Sequence, residues 1–248
     1  MWIWVREMRK ELRVDPENGW LNRYANLVKF LWRKGGYKGF FVYGEQGSGK
    51  TTFALHLLRK IYDNSWEQAL RHTFFTPHEL QPVLDQVIDR VTSSPGEPTL
   101  RLRGLMIDDA GVFFSAYKFY EDVEFTYNVQ KLMQLIRRAS ACLVLTATDI
   151  EEVLRPLRRQ KWVFVDLGYS YWYRNLQVTF VNMYTVKKLP TGRKYTKKMV
   201  ENMPFVVYLP DRVREKYEKL QKMYLKKADI DLVHKKREKD GEDINSQG

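Results

Sequence analysis

The segment Phe40–Ala54, FFVYGEQGSGKTTFA, constrains the fold of this chain more than any other stretch. An apolar run stops at Gly44, and a Gly-Lys-Thr sequence follows just before a helical pattern of apolar residues begins. At such a junction glycines let backbone amides converge on phosphate oxygens, and the helix N-terminus adds a partial positive charge. The segment therefore predicts a strand, a phosphate-binding loop and a helix in direct succession.

The motif G-x-x-x-x-G-K-[ST] is complete from Gly44 to Thr51. We expect Lys50 to reach the β- and γ-phosphates of a nucleoside triphosphate, and the Thr51 hydroxyl to bind Mg²⁺. ATP is favoured over GTP because the chain has no Asn/Thr-Lys-x-Asp motif that would read guanine. A glycine-rich turn with a chance Lys-Thr pair is the alternative, which the flanking strand and helix patterns disfavour. The residues expected to hold the nucleotide are Gly44, Glu45, Gln46, Gly47, Ser48, Gly49, Lys50, Thr51 and Thr52.

A second candidate element is the sequence LMIDDAG, in which an apolar strand ends in two carboxylates. Asp108 is expected to support the Mg²⁺ ion, and Asp109 to orient or deprotonate the attacking water. About 58 residues separate Lys50 from Asp108, which suits an inserted strand, and we expect the acids on a strand that adjoins the loop's own strand. The alternative is a pair of acids that caps a strand end.

The third element, LVLTATDIEEVLRPLRR, reads as a buried strand followed by a basic helix. Thr146 and Thr148 are candidates for a polar contact to the γ-phosphate or the water, and Thr148 is preferred because it lies nearer the strand end. Among Arg155, Arg158 and Arg159, we take Arg158 as the candidate that acts on the nucleotide of a neighbouring subunit. The alternatives are ordinary strand threonines and a solvated basic helix end.

The order of elements predicts the fold class. Strands and helices alternate up to about residue 162, which favours an α/β fold with a mostly parallel sheet and helices on both faces. After that point the sequence is β-branched and aromatic, and a helical pattern returns at Asp211. The predicted organisation is an N-terminal helical segment at 1–36, a P-loop core at 37–162, a β-rich extension with a terminal helix at 163–228, and a charged flexible tail at 229–248.

Composition bears on the partners and the compartment. The formal charge of +12 and the pI near 9.6 make nucleic acid the first partner to consider and an anionic membrane surface the second. The single cysteine, Cys142, lies in an apolar run and permits no disulfide within the chain, which favours a reducing, cytoplasmic location. No run of 18 apolar residues occurs, so we expect no membrane span.

The sequence VKKLPTGRKYTKK predicts a basic hairpin around a Pro/Gly turn. Its cations would give sequence-independent affinity for DNA, and the neighbouring Tyr184 and Tyr195 would stack on unpaired bases. The alternative is a solvated hairpin whose lysines prevent edge pairing. The residues proposed to contact nucleic acid are Lys187, Lys188, Arg193 and Lys194.

Over residues 38–160 these motifs resemble AAA+-type ATPases related to DnaA, and most closely the DnaC- and IstB-type helicase loaders and transposition helpers. LMIDDAG is similar to their double-Asp Walker B strand, and FFTPHELQPVLDQV to their second strand and helix. The resemblance implies an ASCE/AAA+-like P-loop fold, an oligomer, and a helicase, initiator or transposase as partner, with a plasmid or virus of archaea as a plausible source. The chain departs from the family after the sheet, because residues 163–209 are β-rich where a small helical lid is usual.

Three functions remain open at this point. The first is a Mg²⁺-dependent ATPase that binds or remodels DNA or a nucleoprotein in replication or transposition. The second is a packaging or translocation motor of a virus or plasmid. The third is a nucleotide-dependent interaction switch with negligible turnover.

Overall fold

The structure is a computed structural model that describes residues 17–113, 123–151, 153, 161–173, 175–188 and 193–224. The chain divides into two compact units, Met1–Tyr208 and Leu209–Gly248. The predicted tail at 229–248 lies outside the described residues. In the second unit the described part is a helix over residues 211–224, which begins at the predicted Asp211.

The first unit contains six helices within its described residues. They are α1 Asn22–Arg33, α2 Lys50–Ile61, α3 Trp66–Arg71, α4 Pro77–Ser93, α5 Ala110–Phe113 and α6 Val123–Ala139. Short 3-10 turns lie at Gly19–Leu21 and Pro98–Leu100. The helix at 211–224 is α7.

The strands are β1 Lys38–Tyr43, β2 Thr73–Phe74, β3 Leu105–Ile107, β4 Cys142–Ala147, β5 Trp162–Tyr173, β6 Leu176–Lys188 and β7 Lys194–Val207. They form one mixed sheet in the order β2-β3-β4-β1-β5-β6-β7. The first five strands are parallel, whereas β6 pairs antiparallel with both β5 and β7. The α/β class is therefore confirmed, and the predicted boundary near residue 162 falls at the start of β5, inside this sheet.

Helices cover both faces of the sheet because its central strands are apolar on both sides, as buried parallel strands are. On one face Phe40 of β1 contacts Tyr24 of α1, and Phe53 of α2 contacts Phe205 of β7. On the other face Phe41 belongs to a core cluster with side chains of α4 and α6, including Leu80, Leu84, Val129 and Met133. We call these the α1–α2 face and the α4–α6 face.

The position of β1 determines which residues can meet. β4 and β5 flank β1, and β3 lies beyond β4. The strand that carries the two aspartates is thus the second neighbour of β1, so the expectation of an adjoining strand was wrong. The carboxyl ends of parallel strands still meet at one edge of the sheet, and the loops that follow β1, β3 and β4 converge there.

Candidate functional site

The loop at residues 44–49 connects β1 to α2 in a conformation that requires glycine. Gly44, Gly47 and Gly49 have φ values of 149°, 80° and 97°, which residues with a Cβ rarely adopt. A Cβ on Gly44 would lie 2.5 Å from the carbonyl oxygen of Leu167, and one on Gly49 would lie 2.7 Å from Cγ2 of Val207. The predicted succession of strand, glycine-rich loop and helix is therefore confirmed.

The amino end of α2 presents backbone donors to the loop. Gly49 is the N-cap residue and supplies no side-chain cap. In the part of the chain that the structure describes, the amides of Gly47, Gly49 and Thr51 donate to no protein acceptor. Free amides and the helix dipole together favour an anion at this position.

Lys50 lies over the same loop. Its Nζ donates to the carbonyl oxygens of Gly44 at 2.8 Å and Glu45 at 2.9 Å. The ammonium group is therefore held beside the amides at the amino end of α2.

Two hydroxyl side chains, one from α2 and one from β4, contact Asp108 at the end of β3. The Thr51 hydroxyl lies 3.1 Å from both carboxylate oxygens, and the Thr146 hydroxyl donates to Oδ1 at 2.5 Å. Asp108 is 3% exposed, so this buried carboxylate is satisfied by hydrogen bonds. The structure brings together Lys50, Thr51 and Asp108, which the sequence predicted as members of one site.

Asp109 follows with a left-handed backbone conformation, at φ 53°. Its amide donates to the Thr146 hydroxyl at 2.8 Å, so that hydroxyl links the two aspartates. Desolvation of the carboxyl group, and then the charge of Asp108, raise the pKa of Asp109 above its ordinary value, whereas Lys50 lowers it. A carboxylate with a raised pKa is suited to accept a proton.

The structure separates the two candidate threonines of β4. Thr146 is buried against Asp108, whereas the side chain of Thr148 is exposed. Thr148 contributes its carbonyl oxygen, which accepts from the amide of Gly44 at 3.3 Å. The structure thus places Thr146, and not Thr148, against Asp108. The signal for Thr146 in the sequence was a hydroxyl inside an otherwise apolar buried strand, where it needs a partner.

Sequence reasoning missed two contacts from β6 to the loop. Gln177 Nε2 donates to the carbonyl oxygen of Gly47 at 2.9 Å, and the Thr179 hydroxyl donates to that of Ser48 at 2.9 Å. These residues lie about 130 positions from the loop in sequence and belong to no motif. The β-rich extension therefore helps to hold the loop.

The predicted basic hairpin is present, but it lies away from the glycine-rich loop. β6 and β7 pair antiparallel up to Lys188↔Lys194, although the turn at 189–192 and the side chain of Lys188 lie outside the described residues. Phe164, near the start of β5, pairs with Tyr184, so the hairpin end lies at the amino edge of the parallel strands. The glycine-rich loop lies at the opposite edge, beyond the carboxyl end of β1. The six residues of β1 separate the two edges by about 20 Å.

Arg155, Arg158 and Arg159 lie outside the described residues. Among the helices that the structure describes, none is long and apolar enough to cross a bilayer.

Comparison with known proteins gives viral relatives. The chain is 33% identical over 138 residues to the uncharacterized protein ORF286 of Acidianus two-tailed virus, a match that covers 55% of this chain and 45% of that protein. It is 23% identical over 237 residues to the uncharacterized protein B-251 of Sulfolobus spindle-shape virus 1, covering 89% and 87% of the two chains. The chain thus spans less than half the length of the first relative, and no protein-family model matches it.

Proposed function

We propose that this protein is a Mg²⁺-dependent ATPase of the P-loop class that couples ATP binding and hydrolysis to binding or remodelling of DNA or a nucleoprotein. The observation that carries the proposal is the contact of Thr51 with both oxygens of Asp108 at the amino end of α2. It joins the end of a glycine-rich loop to a buried carboxylate, as a site for a metal-bound triphosphate requires. The raised pKa of Asp109 adds a candidate base beside it.

The donors at this position fit Mg²⁺. A threonine hydroxyl and a carboxylate are hard oxygen ligands, and Mg²⁺ is typically held by one or two carboxylates, water and substrate phosphates. Among the described residues, no group of three or more His, Cys, Asp and Glu side chains offers a complete protein cage. Thr51 and Asp108 would hold the ion together with the nucleotide, and the ion would neutralise charge on the phosphate oxygens.

The residues of the site would have separate roles in phosphate binding, water activation and positioning. The loop amides and Lys50 would bind the phosphates and stabilise the charge that develops during transfer. Asp109 would orient the attacking water and accept its proton. Thr146 would fix both aspartates, because its hydroxyl donates to the Asp108 side chain and accepts from the Asp109 amide.

The DNA part of the proposal rests on charge and resemblance. The net charge is +12, and the motifs over residues 38–160 are similar to those of DnaA-, DnaC- and IstB-type ATPases. Members of that group act as oligomers on helicases, initiators or transposases, and we propose such a role here. A packaging motor would show processive, DNA-stimulated turnover, and an interaction switch would bind ATP without turnover.

The test compares Lys50→Ala with Lys216→Ala, which removes an exposed lysine of α7. Binding of a fluorescent ATP analogue and single-turnover hydrolysis are measured with Mg²⁺, with and without DNA. We expect Lys50→Ala to abolish binding or turnover and Lys216→Ala to retain both. Full activity of Lys50→Ala would refute the assignment of the nucleotide site. If the parent protein bound the ATP analogue tightly but did not hydrolyse ATP, the result would favour the nucleotide-dependent interaction switch.

A further inference from the structure

Three lysines, two in strands and one just before a strand, fall into one row across the sheet. The register pairs Gly39 with Trp162, so Lys38 of β1 lies opposite Lys161, just before β5. It also pairs Phe164 with Tyr184, and antiparallel counting places Lys161 opposite Lys187 of β6. We call Lys38, Lys161 and Lys187 the lysine row.

The row continues onto β7 and faces one side of the sheet. Lys187 pairs with Tyr195, whose side chain is 42% exposed. Residues in register point to the same face, and residues two apart along a strand do so as well. Lys38 therefore shares the face of Phe40, which is the α1–α2 face.

The cations of the row are close together and form no ion pair with an acid of the described residues. Neighbouring strands lie about 5 Å apart, so the first and last lysines are about 10 Å apart at the backbone. Among the described residues no ion pair involves any of the three. Burial, and then the charge of Lys187, lower the pKa of Lys38, which agrees with their proximity. Like charges placed opposite each other in a sheet are unfavourable, so the fold tolerates a cost here.

We propose that the lysine row, with Tyr195, is a docking site for the sugar–phosphate backbone of a nucleic acid. Several cations in a line beside an exposed aromatic ring fit a phosphate chain with a base stacked on the ring. The neighbouring side chains of this face, Thr185 and Lys197, are polar, which favours a nucleic acid over insertion into a lipid surface. The proposal extends the DNA-binding part of the proposed function and is independent of the nucleotide site.

This site differs from the basic hairpin that the sequence suggested. Two of its lysines, Lys38 and Lys161, come from the parallel part of the sheet. The hairpin end contributes only Lys187. The two hypotheses therefore predict different results for substitutions that remove equal charge.

The experiment measures fluorescence anisotropy of labelled single- and double-stranded oligonucleotides of about 20 nucleotides over a series of NaCl concentrations. The row variant is Lys38→Gln/Lys161→Gln/Lys187→Gln. The matched control, Lys188→Gln/Arg193→Gln/Lys194→Gln, removes the same charge from the hairpin end. We expect the row variant to bind at least about tenfold more weakly, and its slope of log affinity against log salt to fall by about 2 to 3.

Several outcomes would overturn the proposal. They are equal losses in both variants, no loss in the row variant, or binding of the parent protein to anionic phosphatidylserine vesicles but not to oligonucleotides. Binding of the fluorescent ATP analogue by the row variant should remain unchanged, which shows that it is folded. Measured without nucleotide, Lys50→Ala should bind oligonucleotides as tightly as the parent, so a failure of the nucleotide site would be told apart from a failure of the lysine row.

Discussion

The sheet has one edge at the carboxyl ends of its parallel strands and another at their amino ends, and the polar side chains at these two edges differ in burial and in pairing. At the carboxyl edge, Asp108 is buried and accepts hydrogen bonds from Thr51 and Thr146. At the amino edge, Lys187 is exposed, and the lysine row has like charges side by side without ion pairs among the described residues. Buried polar groups need fixed partners, whereas exposed cations are free to meet a partner from solution.

The two edges therefore differ in the physical basis of ligand binding. The carboxyl edge is preorganised, so removal of one group there should affect a particular chemical step or the folded state. The amino edge acts through summed charge, so single changes there should be small and salt-dependent.

Asp109→Asn should have the largest effect on the chemistry. The amide keeps the size of the side chain but no longer accepts a proton, so single-turnover hydrolysis should slow by about 10²- to 10⁴-fold. Binding of the fluorescent ATP analogue and of oligonucleotides should stay within a few-fold of the parent. Unchanged hydrolysis would place the base elsewhere and would weaken the contrast between the edges.

Acid should weaken the carboxyl edge through His56 of α2. This ring is 1% exposed, and burial lowers its pKa from 6.5 to about 4, although its Nε2 bonds the Tyr208 carbonyl at 2.8 Å. Below pH 6.5 the unfolded chain binds a proton that the native ring resists, so stability is lost as pH falls towards 4. The loss should approach about 3 kcal/mol.

Urea unfolding at pH 7 and pH 4.5 measures this effect, with His56→Gln as the comparison. The glutamine does not titrate and can donate to the same carbonyl, so the variant should show a clearly smaller loss between the two pH values. Equal losses in the two proteins would assign the acid sensitivity to other groups.

Most of the carboxyl edge was predictable because its determinants are local. The glycines, Lys50 and Thr51 are contiguous, and the loop geometry that they require is fixed by steric limits on φ. Asp108 was identified as the polar end of an apolar strand. The strand β4 was predicted, but its position between β1 and β3 was not foreseen, because strand order depends on packing between distant segments.

The amino edge was not predictable in the same way. Lys187 was predicted as part of the basic hairpin, but Lys38 and Lys161 had no signal in the sequence, and only the register of the strands places the three lysines in one row. The choice between Thr146 and Thr148 shows the same limit on a smaller scale. Each lies one residue from the strand end, and only the packing of β4 beside β3 places Thr146 rather than Thr148 against Asp108.

Thr146→Val should test how far the buried network is preorganised. Valine has a similar shape but leaves Asp108 and the Asp109 amide each without one partner, so the free energy of unfolding should fall by about 1 to 3 kcal/mol and hydrolysis should slow. Thr148→Val is the matched control, because its exposed side chain should be replaced at little cost. Similar urea midpoints for the two variants would show that Thr146 contributes no more than an exposed threonine.

The smallest expected effect concerns β6, which reaches both edges. At the carboxyl edge the Thr179 hydroxyl donates to the carbonyl oxygen of Ser48. Lys187, at the amino edge, lies eight residues further along the same strand. Thr179→Val removes the hydrogen bonds of this hydroxyl to the Ser48 carbonyl and to the Ser170 hydroxyl. The bond to the loop is worth about 1 kcal/mol, so affinity for the ATP analogue should fall by a few-fold while oligonucleotide affinity is retained. Thr185→Val, on the same strand and with no side-chain hydrogen bond to the described residues, should leave nucleotide affinity unchanged. If Thr179→Val lowered oligonucleotide affinity as much as nucleotide affinity even when nucleotide is absent, the two edges would share one structural unit through β6, and the division between them would no longer hold.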